Sequence, residues 1–163
     1  LDPVMVSTSG HRLIENDAVE VLKSRLLPLA RVITPNIPEA EILAGCSISG
    51  EQDFDSIARR LSDNGTVSVL LKAGHLNGDE LVDYFYNAED ASMTLLPSRR
   101  VHTANTHGTG CTLSSAFAAS LAKGEDLTTA AKSAKRYIQQ AIISGAEYQI
   151  GGGHGPVNHF FML

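Results

Sequence analysis

A glycine-rich turn that runs into an alanine-rich segment carries the residues of this chain best suited to chemistry. It reads HGTGCTLSSA over residues 107–116. Gly108 and Gly110 allow a sharp turn and a close approach of backbone N–H groups to a ligand. A helix start adds unpaired N–H groups and a positive dipole end, which together favour an anion. Cys111 stands at the beginning of the predicted helix, where thiols are typically activated, so the pattern indicates phosphoryl transfer.

The same stretch also fits a purely structural alternative. A tight connection between a strand and a helix, with a buried cysteine that only packs, would use the same glycines and small residues. Short glycine motifs also occur by chance. The choice between the two interpretations therefore depends on other residues of the chain.

Polar residues that follow apolar segments are candidate ligands for a divalent cation. Asp2 follows an apolar residue that resembles the end of a strand, and Asn36 and Glu39 follow a short strand predicted over residues 31–34. Phosphoryl transfer from a nucleotide requires such a cation, and carboxylate and amide oxygens suit Mg²⁺. Asn36 and Glu39 are also spaced as a capping box at a helix start, and the two roles are compatible.

Lys72 is a candidate for contact with a ligand. It ends a run of Val and Leu and precedes Ala-Gly-His, a pattern typical of a buried strand that emerges at a binding site. The alternative is a solvated lysine at a strand end. His75 and His107 lie beside glycines, and we interpret them as hydrogen-bonded scaffold residues outside the catalytic set.

Composition narrows the class of protein. The 163 residues carry a formal net charge of −5 without a basic cluster, which argues against DNA or RNA as a partner. Cys46 and Cys111 lie far apart and form no CxxC pair, as expected for free thiols in a reducing cytoplasm. No apolar run approaches the roughly eighteen residues that a membrane span needs. We therefore predict a cytoplasmic protein that does not insert into membranes.

Apolar periodicity predicts an α/β fold. The predicted helices cover residues 16–27, 38–43, 53–64, 111–123 and 127–148, and the predicted strands cover residues 31–34, 67–72, 80–86 and 92–96. Asn16 or Asp17 is expected to cap the first helix, Gly65 to end the third, and Pro97 to close a hairpin of the last two strands. Strands that alternate with amphipathic helices imply a sheet covered on both faces, with ligands at the carboxyl ends of its strands.

Five motifs give the chain a family resemblance. They are DPVM at residues 2–5, TPNIPEA at 34–40, LKAGH at 71–75, NTHGTGCTLS at 105–114 and GHGPVNHF at 153–160. In this order, and across nearly the whole chain, they resemble the C-terminal portion of the hydroxymethylpyrimidine and phosphomethylpyrimidine kinase family, which has a ribokinase-like fold. The resemblance implies a layered α/β/α sandwich with a mostly parallel sheet and an antiparallel edge hairpin.

The resemblance also implies an activity. This is the phosphorylation by ATP of 4-amino-5-hydroxymethyl-2-methylpyrimidine and then of its monophosphate, with Mg²⁺, to supply the pyrimidine pyrophosphate for thiamine biosynthesis. By the same likeness, Gly108, Thr109 and Gly110 form an anion hole with Cys111, which takes the position of the catalytic base. The remaining matched residues are Lys72 and Thr106 for nucleotide and phosphate, and Asp2, Asn36 and Glu39 for magnesium.

The family's N-terminal portion has no counterpart in the sequence. We expect residues 1–163 to be the C-terminal portion of a single kinase domain that does not bind the pyrimidine productively alone. Two other functions stay open: a pyridoxal kinase of the same fold, and a non-catalytic module that binds a pyrimidine. The expected partner is the small pyrimidine substrate, with a homo-oligomer as one alternative for the assembly.

Overall fold

Two buried apolar segments form a parallel pair of strands. The structure is a computed structural model, and it describes residues 1–6, 11–62, 67–74 and 78–163. The two strands are β1 (Val32–Ile33) and β2 (Ser68–Leu71), with Val32 opposite Ser68, and every residue of both is buried. Such continuous burial is expected when both faces of a strand are covered. Leu1 pairs with the other edge of β1, since its nitrogen donates to Val32 O at 2.8 Å and its carbonyl accepts from Thr34 N at 3.1 Å. The expected strand end at Leu1 is therefore present.

Two longer strands complete a mixed sheet. These are β3 (Glu80–Asn87), which pairs antiparallel with β2, and β4 (Ser92–Arg99), in the order β1-β2-β3-β4. Among the described strands, only β1 and β2 are parallel neighbours. The prediction that Pro97 closes the hairpin is wrong, because β4 continues through it to Arg99. Pro97 is exposed on the last strand of the described sheet, where a missing N–H donor is tolerated.

The helices occur where the apolar periodicity predicts them, with shifted ends. They are α1 (Asn16–Val21), α2 (Ile37–Ala44), α3 (Phe54–Leu61), α4 (Thr109–Ala122) and α5 (Leu127–Gly145). Beyond α1 the chain continues as a π turn (Leu22–Leu26) and a 3₁₀ turn (Leu27–Leu29), because Pro28 cannot donate the next helical hydrogen bond. The N-cap of α1 is Glu15, so the prediction of Asn16 or Asp17 is wrong. Gly65 and His75 lie outside the described residues.

The chain divides into two compact units. The first comprises Leu1–Asn77 and Val82–Pro97. Its apolar core is built from the sheet and from α2 and α3, with Ile33, Phe54 and Leu71 fully buried. This core supports the strand ends on which the polar residues of the unit lie.

The second unit comprises Gly78–Leu81 and Ser98–Leu163. Here α4 packs on α5, with Phe117 1% exposed and the α5 stripe of Leu127, Ala130, Ala131, Ala134, Ile138 and Ala141 buried. Small alanines allow the helix backbones to approach closely. No helix among the described residues has the length and apolarity to cross a membrane.

Candidate active site

In the first unit, polar side chains converge at the carboxyl ends of neighbouring strands. Asp2 follows the segment that pairs with β1, Asn36 follows β1, and Lys72 follows β2. Asn36 and Lys72 face each other in a parallel bridge that extends the β1–β2 pair, and Lys72 N donates to Pro35 O at 2.9 Å. We call Asp2, Thr34, Asn36, Glu39 and Lys72 the carboxylate cluster.

An ion pair lies at the centre of the carboxylate cluster. Asp2 Oδ1 accepts from Lys72 Nζ at 3.2 Å and from Thr34 Oγ1 at 3.0 Å. The side chains of Asp2 and Lys72 are only 13% and 15% exposed. Lys72 is therefore not the solvated strand-end lysine of the alternative interpretation, and its charge is held beside a carboxylate.

Glu39 acts as a buried helix cap. Asn36 Oδ1 accepts from Glu39 N at 2.9 Å, and Glu39 Oε2 accepts from Asn36 N at 2.8 Å, which completes a capping box. Glu39 is 2% exposed, and its carboxyl also accepts a hydrogen bond from the backbone of Met5. Burial raises its pKa, partly offset by these backbone donors and by the charge of Lys72. The capping role predicted as an alternative for Asn36 and Glu39 is thus present.

The raised pKa of Glu39 predicts a pH dependence of stability. Between the usual carboxyl pKa of 4.5 and the raised value, the native state holds more protons than the unfolded chain. The contribution of Glu39 to the free energy of unfolding is therefore complete below the usual pKa and is lost as the pH rises through the raised one. Urea unfolding measures this between about pH 4 and about pH 7. As the pH rises, the free energy of unfolding of the wild type should fall steadily relative to that of Glu39→Gln. A difference independent of pH would contradict this.

In the second unit, residues 107–111 form the predicted glycine turn. Gly108 adopts a left-handed conformation with φ 86°, and α4 begins at Thr109. Thr109 directs both its N–H and its hydroxyl to Thr106 O, at 3.2 and 2.7 Å. The N–H groups of Gly110 and Cys111 have no hydrogen-bond partner among the described residues. The start of α4 therefore presents two neighbouring donors to a ligand.

Cys111 is exposed rather than buried at this helix start, unlike the packed cysteine of the structural alternative. It lines a groove of about 840 Å³ formed within the second unit by α4, α5 and the C-terminal segment. Ser115, Arg136, His159 and Phe161 also line this groove. The thiol is thus accessible beside the N–H groups of Gly110 and Cys111, for which the described part of the chain supplies no partner.

The C-terminal motif holds the glycine turn from one side. His107 and Pro156 form a parallel bridge, with His107 N donating to Gly155 O at 3.0 Å and Val157 N to His107 O at 3.2 Å. His159 Nε2 lies 2.9 Å from Thr112 Oγ1 in the first turn of α4. Local pattern leaves residues 151–157 open between a loose tail and a loop that approaches a ligand, and it assigns no role to His159. The family motif at residues 153–160 is the signal that indicates a role for Gly155, Pro156 and His159.

The predicted site residues fall into two groups. Asp2, Asn36, Glu39 and Lys72 meet in the carboxylate cluster of the first unit. The second group, in the second unit, consists of Thr106, Gly108, Thr109, Gly110 and Cys111. In the part of the chain that the structure describes, no three His, Cys, Asp or Glu side chains gather closely enough to form a metal cage. A cation bound here would need oxygens from a ligand or from water.

Known proteins resemble this chain in sequence. The model of a family described as phosphomethylpyrimidine kinase matches residues 1–158. The chain is 46% identical over 161 residues to the hydroxymethylpyrimidine/phosphomethylpyrimidine kinase of Rhizobium meliloti, covering 98% of this chain and 60% of that protein. It is 50% identical to the thiamine biosynthesis bifunctional protein ThiED of Geobacter sulfurreducens, covering 98% of this chain and 32% of that protein. The chain thus spans about three fifths of the first of these relatives.

Solved kinases share its fold. The pyridoxal kinase from Staphylococcus aureus in complex with AMP-PCP superimposes with a TM-score of 0.85 at 30% identity, covering 99% of this chain and 57% of that one. The phosphomethylpyrimidine kinase from Clostridium difficile 630 gives a TM-score of 0.71 at 38% identity, covering 86% of this chain and 55% of that one. The predicted α/β, ribokinase-like fold is confirmed.

Proposed function

The chain belongs to the phosphomethylpyrimidine kinase family, and we therefore propose that it carries the phosphoryl-transfer residues of a kinase of thiamine biosynthesis. The acceptor is 4-amino-5-hydroxymethyl-2-methylpyrimidine and then its monophosphate, and the donor is ATP. The solved pyridoxal kinase from Staphylococcus aureus is in complex with AMP-PCP, which supports a nucleotide as the donor here.

One observation carries the proposal. An exposed cysteine shares a helix start with two N–H groups, those of Gly110 and Cys111, that have no partner among the described residues. Donors held in place before the reaction stabilise the charge that develops on a transferring phosphoryl group. In a site that only packs, the sulfur of Cys111 would be covered, whereas it is exposed here.

Cys111 is proposed as the base. In its thiolate form the sulfur accepts the proton of the acceptor group, the hydroxymethyl in the first transfer and the phosphate of the monophosphate in the second, and the oxygen of that group forms the new bond to the γ-phosphorus. The bond from that phosphorus to the bridging oxygen breaks, and ADP leaves. Gly108, Thr109 and Gly110 shape the backbone of the turn around the phosphoryl oxygens, and Thr106 fixes Thr109 through its carbonyl.

The carboxylate cluster fits the magnesium ion that the family implies. Asp2 offers carboxylate oxygens, and Mg²⁺ is usually held by one or two carboxylates together with substrate phosphates. Asp2 keeps part of its side chain exposed, so we assign it the direct contact, whereas Glu39 and Asn36 contribute charge and helix capping. When bound, the ion would neutralise phosphate charge. Lys72 lies next to Asp2 and is proposed to contact the nucleotide phosphates.

We further propose that the chain is the C-terminal portion of one kinase domain and needs the rest for turnover. It spans about three fifths of the Rhizobium meliloti kinase. Positioning of the acceptor contributes much of the rate of phosphoryl transfer, and that requires the whole pocket. The 163-residue chain alone is therefore expected to show no turnover.

A chimera tests the proposal. This chain replaces the matching 161 residues of the Rhizobium meliloti kinase, and ADP release is followed with the pyrimidine alcohol as acceptor. The chimera should turn over, with the unaltered relative as the positive control. Pyrimidine binding without turnover would favour the non-catalytic module instead. Robust turnover by the 163-residue chain itself would contradict the need for the remaining portion.

Pyridoxal is the competing acceptor, because pyridoxal kinases are among the solved structures with the same fold. Sequence identity favours the pyrimidine, at 46% to the Rhizobium meliloti kinase against 30% to the pyridoxal kinase. Both acceptors are offered to the chimera side by side. A higher kcat/KM for pyridoxal would reverse the assignment.

A further inference from the structure

Asn105 is buried at the base of the glycine turn and joins it to the end of α5. Its side-chain nitrogen donates to Gly145 O at 2.8 Å and to Tyr148 O at 2.6 Å, and the residue is 6% exposed. Gly145 is the last residue of α5, and its carbonyl also accepts from Tyr148 N at 3.2 Å, whereas Tyr148 lies three residues beyond the helix. An amide nitrogen carries two N–H groups, so Asn105 bonds both carbonyls at once and joins the end of α5 to the residues that follow it.

Thr103 holds the backbone of Asn105 in place. Its hydroxyl donates to Ala146 O at 2.8 Å and accepts from Asn105 N at 3.1 Å. The backbone and the side chain of Asn105 are thus both tied to the residues that end α5. The segment that leads into the glycine turn therefore has a defined position in the second unit.

Gly155 packs against the other side of the same side chain. A Cβ built at this glycine would lie 2.7 Å from Asn105 Cγ, closer than Cβ atoms approach other atoms in proteins. The carbonyl of Gly155 also accepts from His107 N in the glycine turn. The amide group of Asn105 is therefore enclosed between the end of α5 and the segment that pairs with the turn.

We propose that Asn105 is a positioning residue for the anion site. It ties the glycine turn to α5 and to residues 155–157, so that the N–H groups of Gly110 and Cys111 keep their direction before a ligand binds. Donors fixed in advance need no reorganisation when charge develops. The inference rests on the proposed function insofar as the anion is a phosphate. An asparagine is required because its partners are carbonyl oxygens, which a carboxylate would repel.

Amide hydrogen exchange tests this without turnover. Thr109 N and Thr112 N are protected by bonds to Thr106 O and Gly108 O. Asn105→Ala in the 163-residue chain should speed exchange at both by about tenfold or more, because two buried hydrogen bonds are lost. The rate at which iodoacetamide alkylates Cys111 should also differ between Asn105→Ala and wild type. The rate at Cys46, in the first unit, should be the same in both.

Gly155→Ala perturbs the same contact from the Gly155 side and keeps every hydrogen-bond donor of Asn105. It is therefore the second test variant if Asn105→Ala does not fold. It should also speed exchange at Thr109 and Thr112. Its effect should be smaller on top of Asn105→Ala, which removes the Cγ that the new Cβ would meet. Gly153→Ala is the matched control, since a Cβ there meets nothing within 4 Å.

Inorganic phosphate is the ligand probe. Its affinity for the chain should fall about tenfold in Asn105→Ala, in step with faster exchange. Three results would each overturn the inference. The first is exchange at the wild-type rate in both Asn105→Ala and Gly155→Ala, and the second is additive effects on exchange in the double variant. The third is an unchanged phosphate affinity in a variant whose turn exchanges faster. If the variants behave as expected while the chimera never turns over, the proposed function fails and the positioning role stands.

Discussion

Replacing Cys111 with alanine in the chimera should lower kcat by about a hundredfold to ten-thousandfold, the range that a positioned base contributes. The alanine keeps the backbone N–H at position 111, so the donors that face the anion remain. The affinity for ATP should therefore stay close to that of the parent protein. Steady-state ADP release gives kcat, and isothermal titration with a non-hydrolysable ATP analogue gives the affinity.

Cys46→Ala is the matched control for this experiment. Cys46 is the other free thiol, lies in the first unit, and has Arg60 Nη1 at 3.7 Å as its polar neighbour. Its removal should leave kcat unchanged. Unchanged turnover in Cys111→Ala would refute the role of the sulfur, and equal losses in both variants would point to a general effect on folding.

Replacing Lys72 with methionine should destabilise the chain by about 2–3 kcal/mol. Removing one partner of a buried pair leaves an uncompensated charge, which costs about 3–5 kcal/mol when burial is complete. The pair of Lys72 and Asp2 is slightly exposed, so the expected loss is smaller. Urea unfolding at neutral pH measures it, and the midpoint should fall at an unchanged slope.

Two comparisons separate charge from packing in this result. Arg31→Met breaks the exposed ion pair with Glu89, whose side chains are more than half exposed, and should cost less than about 1 kcal/mol. Asp2→Asn combined with Lys72→Met removes both charges and should restore part of the lost stability. A loss in Lys72→Met no larger than in Arg31→Met would contradict a buried role for Lys72. In the chimera, Lys72→Met should also raise the KM for ATP.

Local pattern was sufficient to predict several features of the fold. The capping box of Asn36 and Glu39 depends on residues three apart, and the turn into α4 depends on two glycines that are separated by one residue. The buried stripe of α5 follows from helical periodicity. Element ends were less accurate: α4 begins two residues before its predicted start, and α5 ends three residues before its predicted end. Ends depend on which backbone groups find partners outside the helix.

The amino-acid sequence was sufficient to predict the family, the α/β class and the residue types able to bind an anion or a cation. The reason is that motif order, periodicity and capping can be recognised along the chain itself. Long-range contacts could not be predicted: Lys72 meets Asp2, 70 residues away, and Asn105 meets Gly145, 40 residues away. The packing of Gly155 on Asn105 and the burial of Glu39 away from water are likewise visible only in the folded chain. Such contacts form between elements whose packing depends on the whole core, and burial then determines whether a charge is solvated or must be paired.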